Sequence, residues 1–180
     1  MVRVTPLYGP LMDATALRAL QAPLKEQYKS DPASALTPLR ATGRVGPEIT
    51  FDVDQFTGVT RAGLHRATGG DGSDACSGDM LLEALLACAG VTLRSVATAM
   101  GLELRSAVGR ADGAFDARGT LGIDRSAPVG VQDVVVTFEL DTDADAAALE
   151  RLGTSVERYC VVGQSMAVPP RIVICRRLSE

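Results

Sequence analysis

Apolar residues near the start of the chain recur every three or four positions, which is the pattern of an amphipathic helix. These residues are Leu17, Leu20, Leu24 and Tyr28. Asp13 precedes them and is a suitable cap, whereas Pro23 lies inside the stretch and predicts a kink or a break. Residues 1–35 are therefore predicted to form a helical N-terminal arm, and residues 36–180 a single domain.

The next part of the chain has the pattern of short strands. Residues 39–45 and 49–53 flank the turn residues 46–48, Gly-Pro-Glu, which predicts a β-hairpin. A third strand is predicted at residues 58–64. The segment 67–79 is rich in Gly, Asp and Ser, but it matches neither the EF-hand calcium pattern nor a phosphate-binding fingerprint. We interpret it as a loop.

Residues 79–100 carry apolar side chains around nearly the whole helical circumference. This distribution predicts a long helix that is buried on most of its sides. Asp79 suits its first turn because a carboxylate is favourable near the positive end of the helix dipole.

Beyond this helix the pattern predicts more strands and a second helix. The strands are expected at residues 102–110, 113–121, 131–140 and 171–176, the first two as a hairpin. Thr142 or Asp143 is expected to cap the second helix, whose apolar stripe ends at Cys160. Strands, a buried helix, strands, a helix and a final strand make up an α+β fold.

Composition places the chain among globular proteins and excludes several classes. Its 180 residues are 46% hydrophobic and 22% charged, which suffices for one domain with a core. The net charge of −4 and the aromatic content of 4% provide no surface suited to nucleic acid. The chain has no uninterrupted run of 18 apolar residues, and residues 1–10 lack a signal-peptide pattern. We therefore expect a cytoplasmic protein without a membrane span.

Four cysteines carry the candidate chemistry: Cys76, Cys88, Cys160 and Cys175. They form no zinc motif, and the single histidine, His65, excludes a His-rich metal site. Cys88 lies among small side chains on the long helix, opposite the polar face that Asp79 begins. Cys160 lies on the apolar stripe of the second helix. Both are predicted to face one core, either as packing residues or as a pair that forms a reversible disulfide.

The other polar residues have simpler interpretations. Cys76 is either a third redox thiol or a loop cysteine without a role, and strand packing accounts for Cys175. His65 is interpreted as a partly exposed structural histidine, and Glu83 and Arg94 as members of ion pairs. A reactive thiolate needs a neighbouring cation, but the spacing selects no arginine.

Two segments resemble a known family. The run CSGDMLLEALLACAGVTLRSVA, residues 76–97, is similar to the central helix of the OsmC/Ohr family of thiol peroxidases. The run VERYCVVGQSM, residues 156–166, is similar to the second cysteine segment of that family. The resemblance extends from about Leu39 to the C-terminus and leaves the N-terminal arm outside.

The resemblance implies a fold, a partner and a reaction. The fold would be α+β, with antiparallel sheets packed around a long buried central helix in an intertwined homodimer. The active sites would lie at the subunit interface. Cys88 would be the peroxidatic cysteine and Cys160 the resolving cysteine of an organic hydroperoxide reductase. An external dithiol, often lipoyl-linked in the family, would recycle the enzyme, so no bound cofactor or metal is implied.

Further site residues follow from the same resemblance. Arg44 matches the hairpin arginine that activates the thiolate, with Arg61 and Arg66 as alternatives. Asp79 best matches a carboxylate at the helix start, where the family usually carries Glu. Val161 departs from the proline that usually follows the second cysteine.

The leading interpretation is thus a two-cysteine peroxidase for bulky organic hydroperoxides, with apolar walls drawn from Leu81, Leu85 and Val91. A second interpretation is a non-enzymatic module whose apolar groove holds a small hydrophobic ligand. A third is a redox sensor that forms the disulfide without sustained turnover.

Overall fold

The computed structural model describes residues 12–177, so the predicted absence of a signal peptide in residues 1–10 lies outside the described residues. The strands are β1 (Thr42–Val45), β2 (Thr50–Gln55), β3 (Gly58–Gly63), β4 (Ser106–Ala114), β5 (Gln132–Asp141) and β6 (Arg171–Arg176). The helices are α1 (Ala14–Ser30), α2 (Ser77–Met100), α3 (Ala117–Thr120), α4 (Ala146–Tyr159) and α5 (Val161–Gln164). This mixture of small sheets and helices confirms the predicted α+β class.

Helix α1 lies within the segment predicted to form the N-terminal arm. The Asp13 carboxylate caps it by accepting from the N–H groups of Thr15 and Ala16, each at 2.8 Å. The predicted break at Pro23 is wrong, because the helix continues through this residue. Proline leaves the carbonyl of Ala19 without its usual helical donor, but Ala19 is exposed and water can hydrogen-bond to that carbonyl. None of the α1 residues is buried, although α1 contacts α2.

Strands β1, β2 and β3 form an antiparallel sheet in that order, as the hairpin pattern predicted. The turn between β1 and β2 includes Glu48 at a φ of 55°. Several large apolar side chains of this sheet and its turn remain exposed, among them Val45, Ile49 and Phe51. The sheet therefore leaves apolar surface uncovered in a single chain.

The second sheet has the order β4-β5-β6, and it is mixed rather than antiparallel. Strand β5 pairs antiparallel with β4 and parallel with β6. The prediction of purely antiparallel sheets is wrong here because α4 and α5 carry the chain back across the sheet, and such a crossover returns it in the same direction.

The predicted hairpin of residues 102–110 and 113–121 is also wrong. Residues 106–114 form the single strand β4, and the short helix α3 follows. The Asp116 carboxylate starts this helix by accepting from the Arg118 N–H, and it also pairs with the Arg118 guanidinium at 2.6 Å. Local capping thus replaces the second strand.

The core lies between α2, α4 and one face of the second sheet. Helix α2 contributes four residues at spacings of four: Leu85, Ala89, Leu93 and Ala97. Val91, on the opposite side of α2, is 73% accessible, and Leu81, one turn before Leu85, is 37% accessible. Within one chain α2 is therefore buried on one face rather than on most sides.

Helix α2 is long and apolar enough to cross a membrane by length and composition. A helix with a few polar residues meets this criterion without an uninterrupted apolar run. Core helices of soluble proteins pass it too, and one face of α2 packs in the core described above.

The start of α4 also differs from the sequence prediction. Asp145 is its cap, with the carboxylate accepting from the Ala148 N–H at 2.7 Å. Thr142 is instead buried and donates to the carbonyl of Glu103 at 2.6 Å, while Asp143 pairs with Arg105 at 2.7 Å. Thr142 and Asp143 therefore do not cap α4. They connect the segment before α4 to the segment before β4.

Candidate active site

Cys88 and Cys160 lie next to each other in one core, and each thiol alters the pKa of the other. Cys88 projects from the middle of α2, and Cys160 occupies the junction between α4 and α5. Both helices of that junction pack on α2, which brings together two residues that are far apart in sequence. Cys88 is half-buried and Cys160 is 1% exposed, so an oxidant from solvent meets Cys88 first.

The start of α5 lies against the Cys88 sulfur. Cys160 has an extended backbone, with φ −74° and ψ 103°, and its sulfur caps α5 by accepting from the Gly163 N–H at 3.4 Å. The first N–H groups of a helix have no partner within it. Those of Val161 and Val162 lie near the sulfur of Cys88 and lower the pKa of its thiol.

These donors determine the acidity of Cys88. Burial raises the pKa of the Cys88 thiol, but hydrogen bonds from Val162, Cys160, Val161 and Thr92 oppose burial, and the pKa is lowered overall. Hydrogen bonding to the charged form favours ionisation. Cys88 therefore ionises more readily than an ordinary cysteine.

Cys160 changes in the opposite direction. Burial raises its pKa, the Gly163 N–H opposes that effect only in part, and the neighbouring Cys88 raises the pKa further. Two thiolates in contact repel each other, so ionisation of Cys88 keeps Cys160 protonated. The pair thus sets a half-buried thiol of lowered pKa beside a buried thiol of raised pKa.

Arg44 and Asp79 do not join this pair within one chain. The Arg44 guanidinium lies 3.4 Å from Asp52 and 3.4 Å from Asp54, across the β1-β2 pair. Asp79 is in the first turn of α2, nine residues before Cys88 and hence about 14 Å away along the helix axis. For both residues, a role at the thiol remains a prediction.

The alternative arginines also have other partners. Arg61 pairs with Asp74, and Arg66 lines a cleft of about 300 Å³ together with Asp79 and Cys76. Among the residues that the structure describes, those with the largest effects on the pKa of Cys88 include no cation.

The remaining candidates take structural positions. Exposed His65 caps a short 3₁₀ helix by accepting from the Ala67 N–H at 3.0 Å. Arg94 donates to the carbonyl of Leu104 at 3.3 Å. Cys175 is exposed, so packing does not account for it, and Leu85 is fully buried in the core rather than placed as a wall beside Cys88.

Sequence reasoning missed the hydrogen-bond donors around Cys88. Two signals in the sequence point to them. Val161 carries an N–H that a proline would lack, and Thr92 follows Cys88 by four residues, which places both side chains on one helix face.

Comparisons with known proteins identify the fold. The profile of the family described as OsmC-like protein matches residues 70–174. No curated protein sequence matches the chain.

Several solved structures share the fold at low sequence identity. An OsmC-like protein from Mycoplasma pneumoniae is 14% identical, with a TM-score of 0.60 over 80% of this chain and 99% of that one. An organic hydroperoxide resistance protein from Elizabethkingia anophelis is 12% identical, with a TM-score of 0.63 over 79% and 98%. A protein from Legionella pneumophila described as an organic hydroperoxide resistance protein OsmC is 12% identical, with a TM-score of 0.57 over 79% and 100%.

The matched segment contains α2 with Cys88, α4, α5 and Cys160, which are the parts that build the paired-thiol site. It spans more than half of the chain, and the resemblance in the two cysteine segments lies inside it. The chain belongs to the OsmC-like family.

Proposed function

We propose that the protein is a thiol-dependent peroxidase that reduces organic hydroperoxides to alcohols through Cys88 and Cys160. The contact between an accessible thiol of lowered pKa and a buried thiol carries this proposal. The first reacts as a thiolate with the peroxide, and the second is close enough to trap the product.

The proposed cycle has three balanced steps. The Cys88 thiolate attacks the distal oxygen of the hydroperoxide, the O–O bond breaks, and the alkoxide takes a proton to leave as the alcohol. Cys88 is then a sulfenic acid, which condenses with the Cys160 thiol to form a disulfide and one water. An external dithiol reduces that disulfide by two thiol exchanges and leaves as its own disulfide.

The surroundings of Cys88 favour organic over hydrogen peroxide. Leu81 and Val91 lie on the same side of α2 as Cys88 by helical spacing, and both are accessible. Apolar side chains beside the nucleophile add binding energy for an alkyl or aryl group and none for hydrogen peroxide.

We further propose that two copies form an intertwined homodimer with the site at the interface. The exposed apolar side of α2 and the exposed apolar residues of the β1-β2-β3 sheet need a cover. A second copy supplies one, and in that assembly Arg44 or Asp79 of one chain would approach Cys88 of the other. A cytoplasmic location suits the cycle because dithiols are kept reduced there.

Peroxide consumption in the presence of a dithiol tests the proposed activity. Purified protein is mixed with cumene hydroperoxide and either dithiothreitol or dihydrolipoamide, and the remaining peroxide is measured over time. Cys88→Ser should abolish turnover. Cys175→Ser is the matched control, because it removes an exposed thiol on β6 that is not part of the Cys88–Cys160 pair and should leave turnover unchanged.

Three results would reject the proposal. Full turnover by Cys88→Ser would assign the chemistry to another group. A single disulfide per chain without further peroxide loss would leave a redox sensor, whereas binding of apolar ligands without any loss of thiols would leave a ligand-binding module.

A further inference from the structure

Thr92 lies one helical turn after Cys88 on the same face of α2. Its hydroxyl donates to the carbonyl of Cys88 at 2.8 Å. Helical side chains lean toward the N-terminus, so the Thr92 side chain extends over Cys88. The same hydroxyl lies close enough to the Cys88 side chain to lower the pKa of its thiol.

The hydroxyl therefore has two acceptors but a single proton to donate. The Cys88 carbonyl has a second donor, because the backbone N–H four residues later binds it in a regular helix. Losing the hydroxyl does not leave that carbonyl unpaired. A thiolate, by contrast, carries a full charge, and hydrogen bonds to charged acceptors are the stronger ones.

We infer that the Thr92 hydroxyl turns from the Cys88 carbonyl to the Cys88 sulfur when the thiolate forms, and so stabilises and orients the nucleophile. Thr92 thus serves the peroxidase reaction proposed above, on which this role rests. When sulfur loses its charge in the attack on peroxide, the carbonyl becomes the better acceptor again and the hydroxyl returns to it. The hydroxyl thus changes between the carbonyl and the sulfur as the charge on sulfur changes, and the backbone does not move.

A purely structural role makes a different prediction. Threonine in a helix often bonds the carbonyl four residues earlier, and its branched side chain packs along the helix. In that case the hydroxyl would affect folding but not the ionisation of Cys88.

The rate of Cys88 alkylation by iodoacetamide as a function of pH separates the two roles. Peptide mass spectrometry assigns the reaction to Cys88 in the reduced full-length protein. Thr92→Val removes the hydroxyl and keeps the branched shape, whereas the matched control Thr92→Ser keeps the hydroxyl. We expect Thr92→Val to raise the midpoint by about one pKa unit and to lower the rate about tenfold at pH values below both midpoints. The plateau rate at high pH and the Thr92→Ser profile should stay near those of the unmodified protein.

An unchanged midpoint in Thr92→Val would overturn the inference. So would equal shifts in Thr92→Val and Thr92→Ser, because the hydroxyl would then not be the cause. Thr92→Ala is a second hydroxyl-free variant, and it must shift in the same direction even if Thr92→Val folds poorly.

The same profiles distinguish this role from the peroxidase itself, because alkylation requires no peroxide. A protein that consumes no peroxide but shows the Thr92→Val shift would reject the proposed activity and keep the donor. A protein that turns over peroxide without the shift would keep the activity and reject the donor.

Discussion

The first N–H of α5 contributes to the acidity of Cys88, and proline can remove it without changing the course of the chain. Val161 is the first residue of α5, a position that proline favours. The preceding Cys160 has the extended backbone that a residue before proline prefers. Val161→Pro should therefore fold as the parent protein does while removing one donor to the Cys88 sulfur. Val161→Ala is the matched control, because it shortens the side chain and keeps the N–H.

The size of the effect follows from the number of donors and their exposure. A hydrogen bond to a charged group contributes about 1.5–3 kcal/mol. Cys88 is half-buried and other donors remain, so water and those donors replace part of the loss, and about 1 kcal/mol is expected. At about 1.4 kcal/mol per pKa unit, the pKa of Cys88 should rise by about 0.7 units. The thiolate fraction below that pKa, and the alkylation rate with it, should fall about fivefold.

Stability provides a second measurement with a definite sign. The folded pKa of Cys88 is lowered, so its ionised form adds stability that is fully present above the unfolded pKa and is lost as the pH falls through the folded pKa. The stability deficit of Val161→Pro relative to Val161→Ala should therefore be about 1 kcal/mol larger at high pH than at a pH below both folded pKa values. Urea unfolding of both variants across that range measures the difference.

Equal alkylation midpoints in Val161→Pro and Val161→Ala, within about 0.2 pKa units, would refute the assignment of this N–H as a donor. This result also concerns the family, because its members usually carry a proline after the second cysteine. If the predicted shift occurs, this chain activates its thiol with a backbone donor that proline at this position cannot supply.

Three further predictions follow from the packing around the site. Without added dithiol, Cys160→Ser should consume about one peroxide per chain and accumulate the Cys88 sulfenic acid rather than a disulfide, as intact mass would show. Val91→Glu should convert the proposed dimer to monomer in sedimentation, whereas Leu121→Glu, at another exposed apolar residue, should not; a dimeric Val91→Glu would contradict an interface on this side of α2. Leu152→Ala removes a fully buried side chain, so it should cost about 3 kcal/mol and lower Tm by about 6–12 °C, and a smaller loss would mean that the core closes around the cavity.

The parts of the site that lie on regular helices could be predicted from sequence. Helical spacing placed Cys88 away from the Asp79 face, and the apolar stripe of α4 turned Cys160 inward. Both cysteines belong to one core in the structure. Periodicity is informative here because one buried face selects the residues that lie on it.

The errors arose where a local interaction or a remote strand decides the structure. Residues 113–121 have the composition of a strand, but the Asp116 cap turns part of them into α3. The parallel pairing of β6 depends on the route of α4 and α5, which no pattern within β6 encodes. Likewise, the α5 donors at Cys88 are backbone groups, and only the packing of α5 on α2 directs them at the sulfur.

Backbone donors and a cation stabilise a thiolate in physically different ways. The N–H groups of Val161 and Val162 are fixed by α5, so they meet the sulfur without the loss of side-chain freedom that a long arginine incurs. The Arg44 guanidinium is paired with two carboxylates on its own sheet. To approach Cys88, it would have to break these ion pairs or place the two carboxylates near the sulfur as well. A carboxylate near the thiolate opposes ionisation. Within one chain, the α5 N–H groups therefore help to lower the pKa of Cys88. An arginine of a partner subunit would lower that pKa further.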